Sequence, residues 1–147
     1  MESILVVCIG NVCRSPVAEA LLKRELPDKH IWSAGMGALV GEPAQPHAQE
    51  IAAEHGLDIS AHRAQQLSGW MCTQADLILV MEAGHQRELQ RLYPSAHGKI
   101  RCLGETGPGR HFDIQDPYRH PRDAFETAHA AMERGVAYWA PRIRRLS

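Results

Sequence analysis

Four things are missing from this 147-residue chain, and each absence narrows what it can do. Charge of one sign is missing: 16 Lys and Arg against 17 Asp and Glu leave a net charge of −1, so no bulk field draws it to nucleic acid or to a membrane surface. Long apolar runs are missing too. Nothing approaches the roughly 18 residues of a membrane span, and the apolar stretch at residues 4–9 lacks the length and basic flank of a secretory signal. A cytoplasmic protein is expected. The four cysteines, Cys8, Cys13, Cys72 and Cys102, form no Cys-x-x-Cys pair, and a chain of this size needs no disulfide scaffold. The nine histidines show no metal-ligand spacing on a convincing helix face, so neither a metal nor any other cofactor is expected. There is no internal repeat and no low-complexity segment.

What remains is ordinary globular composition, 44% hydrophobic and 22% charged, in a length that suits one domain over residues 1–147. Short apolar runs at residues 4–7, 31–33, 77–81 and 100–103 read as strands. Helical patterns lie between them, at residues 15–26, 46–55, 68–74 and 84–92, with a last one at 122–144. This alternation predicts an α/β fold with a four-stranded parallel sheet between helices, in three layers. Pro27 stops the first helix and Gly56 supplies a C′ residue after the second. In the last helix Phe125, Met132, Val136 and Trp139 form a stripe that packs on the sheet. Residues 104–119 carry no periodicity and read as a functional loop.

The first strand runs into Val7-Cys8-Ile9-Gly10-Asn11-Val12-Cys13-Arg14-Ser15-Pro16. Ser15 is expected at the N-cap and Pro16 at N1 of the first helix. Gly10 and Asn11 can adopt the positive φ that turns successive backbone N–H groups inward. Such a loop at a helix N-terminus attracts a dianion such as phosphate, and Arg14 adds two parallel donors in a geometry lysine lacks. Cys8 faces the same positive field, which favours the thiolate, the nucleophilic form. A thiolate beside a bound phosphoryl group can attack phosphorus. Ligands of open parallel sheets sit beyond the carboxyl ends of the strands, where both this loop and the 104–119 segment should lie.

Cys8 to Pro16 resembles the signature loop of the low-molecular-weight protein tyrosine phosphatases, and Asp116-Pro117-Tyr118 resembles that family's general-acid motif. The likeness extends to Ser33-Ala34-Gly35, the His62 segment and residues 77–82, nearly the whole length. Through Gly37-Ala38-Leu39-Val40-Gly41 it is similar to the bacterial subgroup paired with the tyrosine kinases of capsule and exopolysaccharide export.

That resemblance implies hydrolysis of protein phosphotyrosine, with Cys8 as nucleophile, Arg14 binding phosphate and Asp116 as general acid and then base. Asp113 is the rival acid. Ile9, Gly10, Asn11, Val12, Cys13 and Ser15 would surround the phosphate, with Leu39 and Tyr118 as walls for a phenyl ring. Asn11, Ser15, Ser33 and His62 would form a hydrogen-bond network supporting the loop. Cys13 could pair reversibly with an oxidised Cys8. The partner implied is a phosphotyrosine protein, in this subgroup a membrane tyrosine autokinase. Three positions depart from the pattern: Leu39 where many relatives carry an aromatic, Arg119 where eukaryotic ones have tyrosine, and Gln65 where Arg is frequent. Competing readings are a thioredoxin-coupled arsenate reductase, which needs relay cysteines that residues 82–101 lack, an arginine phosphatase, which carries Thr where Ile9 stands, and a non-catalytic phosphate-binding module.

Overall fold

The computed structural model describes residues 1–147. Four strands, β1 (Ser3–Cys8), β2 (His30–Gly35), β3 (Leu77–Val80) and β4 (Ile100–Cys102), form one sheet in the order β2-β1-β3-β4. All three pairings are parallel. Strands β1 and β3 take the two interior places, as their burial requires: all four residues of β3 and five of the six of β1 are buried, and the β1 side chains alternate between two cores. Ile4, Val6 and Cys8 face one side, with α1 (Ser15–Glu25), α2 (Pro46–Glu54) and α5 (Arg122–Arg145). Leu5 and Val7 face the other, with α3 (Gly69–Gln74) and α4 (Ala83–Leu92). The result is the expected three-layer α/β architecture.

The helix α5 stripe behaves as its spacing requires. Phe125, Met132, Val136 and Trp139 all join the first core, and Trp139 Nε1 donates to Cys102 O at 3.0 Å, tying the helix to the edge strand β4. Gly56, at φ 77°, ends α2 in the left-handed conformation that favours glycine.

Two expectations about the first helix fail. Arg14, not Ser15, holds the N-cap position, and Ser15 makes no capping bond. The Ser15 hydroxyl turns instead toward Cys8. Gly10 does not have positive φ, whereas Asn11 does, at 59°. The 104–119 segment is also less irregular than its composition suggests: Glu105–Gly107 and Arg110–His111 pair as a small antiparallel hairpin. Strands of three and two residues are too short to leave a periodic signature.

Candidate active site

Strand β1 delivers Cys8 to the carboxyl edge of the sheet, in register with Gly35 of β2, and the chain then loops through residue 14 into α1. The polar side chains of this loop are buried: Asn11, Arg14 and Ser15 are at most 1% exposed. Burial on that scale obliges each polar group to find a partner.

Asn11 meets that demand on every side. Its Nδ2 donates both protons, to Ser15 Oγ at 2.7 Å and to Ser33 Oγ at 3.0 Å. Its Oδ1 accepts from the Gln65 backbone N–H at 2.9 Å, and its carbonyl lies 2.6 Å from His62 Nε2, which must therefore carry the proton. Ser33 Oγ passes its own proton to Glu19 Oε1 at 2.6 Å. The direction of these bonds fixes the orientation of Ser15. Having accepted from Asn11, the Ser15 hydroxyl is free to donate to Cys8 Sγ, 2.9 Å away, and the Asn11 backbone N–H approaches the same sulfur at 3.3 Å. Two donors aimed at one sulfur stabilise negative charge on it.

Arg14 is held from behind. Its Nη1 donates to Glu82 Oε2 at 2.6 Å and to Ile114 O at 2.7 Å. Nη2 lies 3.7 Å from Asp116 Oδ2, and Nε is buried with no hydrogen-bond partner. One edge of the guanidinium is thus committed to the scaffold. The Nε and Nη2 edge is the pair of parallel donors that suits two phosphoryl oxygens. Burial, then the Arg14 charge, pushes His85 below the usual histidine range, and its Nε2 lies 3.5 Å from the same Glu82 oxygen.

Asp116 comes from the far end of the chain and faces Arg14 across the opening. Its carboxylate is 45% exposed, and its Oδ1 accepts from the Tyr118 backbone N–H at 3.1 Å, so the rigid Pro117 and this short turn aim it together. Asp113, the rival acid, points elsewhere: its Oδ1 accepts from Ala83 N–H at the start of α4.

A cleft of about 120 Å³ joins these groups, lined by Cys8, Ile9, Gly10, Val12, Cys13 and Arg14 below and by Gly37, Leu39, Asp116 and Tyr118 around the mouth. Asn11, Ser15, Ser33 and His62 lie outside it, in the layer of hydrogen bonds behind the loop. Cys13 is a free thiol that burial, with lesser contributions from Asp116 and Cys8, pushes up to about 12. It is protonated at neutral pH. Two participants escaped the sequence reading. Gln65, set aside for not being Arg, bonds Asn11 and also donates its Nε2 to Ser33 O at 2.8 Å. Glu82 was legible in principle, as an acid directly after an apolar strand that pairs with β1.

The family model described as low molecular weight phosphotyrosine protein phosphatase matches residues 3–146. A probable low molecular weight protein-tyrosine-phosphatase of Ralstonia solanacearum, EpsP, is 55% identical over 146 residues, 99% of each chain. The structure of Vibrio vulnificus Wzb in complex with benzylphosphonate superposes with a TM-score of 0.90 at 41% identity, covering 96% of this chain and 98% of that one. The YwlE arginine phosphatase of Geobacillus stearothermophilus gives 0.91 at 33% identity, over 99% of this chain and 94% of that one. With its whole length matched, the chain belongs to the low molecular weight phosphotyrosine protein phosphatase family.

Proposed function

We propose that this protein hydrolyses phosphotyrosine in proteins through a cysteinyl-phosphate intermediate. The observation that carries the reading is the buried, unpartnered Nε of Arg14, held beside Cys8 in a loop whose other buried side-chain nitrogens and oxygens have partners. A buried donor without a partner is costly, and a phosphoryl oxygen supplies the acceptor.

In the first step the Cys8 thiolate attacks phosphorus while the bond to the phenolic oxygen breaks. That oxygen leaves with a proton from Asp116, since a phenolate leaving group has a conjugate pKa near 10. In the second, Asp116 takes a proton from water as the water oxygen attacks phosphorus and the S–P bond breaks, releasing inorganic phosphate and the thiolate. Arg14 holds equatorial oxygens through both transition states, and Ser15 O–H stabilises the departing thiolate. Leu39 and Tyr118 flank the opening as an aliphatic and an aromatic wall, a depth that phosphoserine spans poorly. Similarity to a Wzb that binds benzylphosphonate supports an aryl substrate.

The physiological substrate in this reading is the tyrosine-rich tail of a bacterial membrane autokinase of polysaccharide export. Its support is the subgroup resemblance at residues 37–41 and the similarity to EpsP and Wzb. Arsenate reduction is disfavoured because Cys72 and Cys102 are buried in the core on the opposite sheet face from Cys8, out of reach of a disulfide relay. Arginine phosphatase activity is disfavoured by Ile9, 40% exposed at the cleft, where a hydroxyl would be expected.

The test is hydrolysis of p-nitrophenyl phosphate, a phosphotyrosine peptide, a phosphoserine peptide and phosphoarginine between about pH 4 and 8, with Cys8→Ser and Asp116→Asn alongside. Activity lost with the first change, reduced about 10²–10⁴-fold by the second, and selective for tyrosine is the expected result. Faster turnover of phosphoarginine, or an active Cys8→Ser protein, would overturn the assignment.

A further inference from the structure

On the side of the sheet where α2 and α5 pack, the C-terminus of α2 brings one histidine against another. His55 and His129 have ring centroids 4.2 Å apart with 31° between their planes. Glu133, one turn beyond His129 on α5, places Oε1 2.8 Å from His129 Nε2 and 3.6 Å from His55 Nε2. These ligating atoms all lie within 4.8 Å of one another.

His55 Nδ1 is 2.9 Å from Ile51 O, which can only accept, so Nδ1 donates there and Nε2 is the ring nitrogen turned toward Glu133. His129 is 3% exposed, yet neither of its ring nitrogens has a hydrogen-bond partner, the Glu133 oxygen being out of line with Nε2. Three potential ligand atoms gather around a buried ring that no hydrogen bond of good geometry satisfies. A cation resolves this arrangement.

We propose that His55, His129 and Glu133 form a binding site for Zn²⁺, with solvent in the fourth position. Two imidazoles and a carboxylate are a recognised donor set for that ion, and ligand bonds of about 2.0–2.2 Å call for donor separations of about 3.5 Å, which atoms lying from 2.8 Å to at most 4.8 Å apart would reach by small side-chain rotations. The other acids nearby are already engaged: Arg122 donates to Glu54 at 2.6 and 2.7 Å and to Glu126 at 3.0 Å. The site was invisible in the sequence because its ligands come from two helices, with only His129 and Glu133 at local spacing. Its effect is to clamp the end of α2 to the middle of α5, so binding stabilises the fold.

Zinc alone is the probe, titrated calorimetrically and in thermal melts into full-length protein carrying Cys8→Ser, which removes a competing thiolate. His55→Ala and Glu133→Gln in the same background alter exposed positions and leave the core intact. One Zn²⁺ per chain and a raised melting temperature are expected, with affinity down at least about tenfold and the thermal shift abolished in each variant. Co²⁺ in the same protein should show the visible bands of a four-coordinate nitrogen and oxygen site without thiolate charge transfer. Unchanged binding in both variants, a thiolate band, or no binding up to about 0.1 mM, where affinity would be too weak to matter, would each overturn the proposal.

Discussion

Glu82 accepts a 2.6 Å hydrogen bond from Arg14, so the cation that faces the cleft is oriented by an anion from the neighbouring strand's end. Removing that anion leaves a guanidinium that is 2% exposed with only a carbonyl behind it. Glu82→Ala is expected to cost about 3 kcal/mol in urea unfolding, the range for breaking a buried ion pair. Lost orientation of Arg14 should lower kcat/KM by about 10²-fold, the size of effect that follows removal of a transition-state donor. Steady-state kinetics on p-nitrophenyl phosphate checks the second figure.

Asn11 combines strain with support, and two substitutions separate them. Asn11→Ala loses the bonds to Ser15, Ser33 and Gln65 and keeps an unfavourable φ of 59°. It should destabilise the protein by about 2–4 kcal/mol. Asn11→Gly loses the same bonds but tolerates the dihedral, and should be about 1 kcal/mol less damaging. Equal unfolding midpoints for the two variants would show that strain plays no part.

Gly35→Ala tests how closely β2 supports the loop. A Cβ there would run into Ile9 O and meet Ala38 Cα at 3.1 Å, backbone that cannot yield without moving the loop. The expected outcome is a folded protein of lower melting temperature whose kcat/KM falls by at least about tenfold, since displacements of about 1 Å are felt strongly at a reacting centre.

Alkylation should be selective. Burial pushes Cys13 to about 12 and Cys102 to about 11, and raises Cys72, so these thiols stay protonated at neutral pH. Iodoacetamide should therefore label Cys8 first, one equivalent per chain, with loss of activity and protection by inorganic phosphate. Peptide mass mapping identifies the labelled residue.

Stability should fall in two separate acid windows. His129 and His85 have depressed values in the folded state, so each contributes stability that is complete above the ordinary histidine value of 6.5 and lost as pH falls below it. Asp76, lowered by backbone N–H donors at Glu2 and Ser3, contributes stability above its ordinary 3.8 that is lost only below that. Urea unfolding from about pH 7 to 5 should show the first loss, and His129→Gln should reduce its slope.

Much of this was legible from residue order. The four strands announce themselves through apolar runs, and Cys8, Arg14 and Asp116, which the fold brings to one cleft, through local pattern and resemblance. What escaped was decided by neighbours in space. Ser15 has the chemistry of a helix cap, but Cys8 and Asn11 compete for the same hydroxyl and win. Glu82 reaches Arg14 only because β3 lies beside β1, and His55 meets His129 only because α2 packs on α5. Gln65 was discounted as an exchanged side chain, although its main role is played by its backbone N–H.

The manner in which Asp116 is tethered divides the site into a fixed half and a movable half. Cys8 is part of the central strand, knitted on both sides by sheet pairing. Between Ile114, anchored to Met81 O, and the start of α5, the backbone N–H groups make only local bonds, His120 to Pro117 O and Tyr118 to Asp116 Oδ1, with Arg119 at φ 67° and its guanidinium over the Tyr118 ring. Sequence change in that strap can therefore retune which phosphorylated surface is admitted while leaving the reacting sulfur where it is. The fold allows recognition and bond-breaking to evolve at different rates within one cleft.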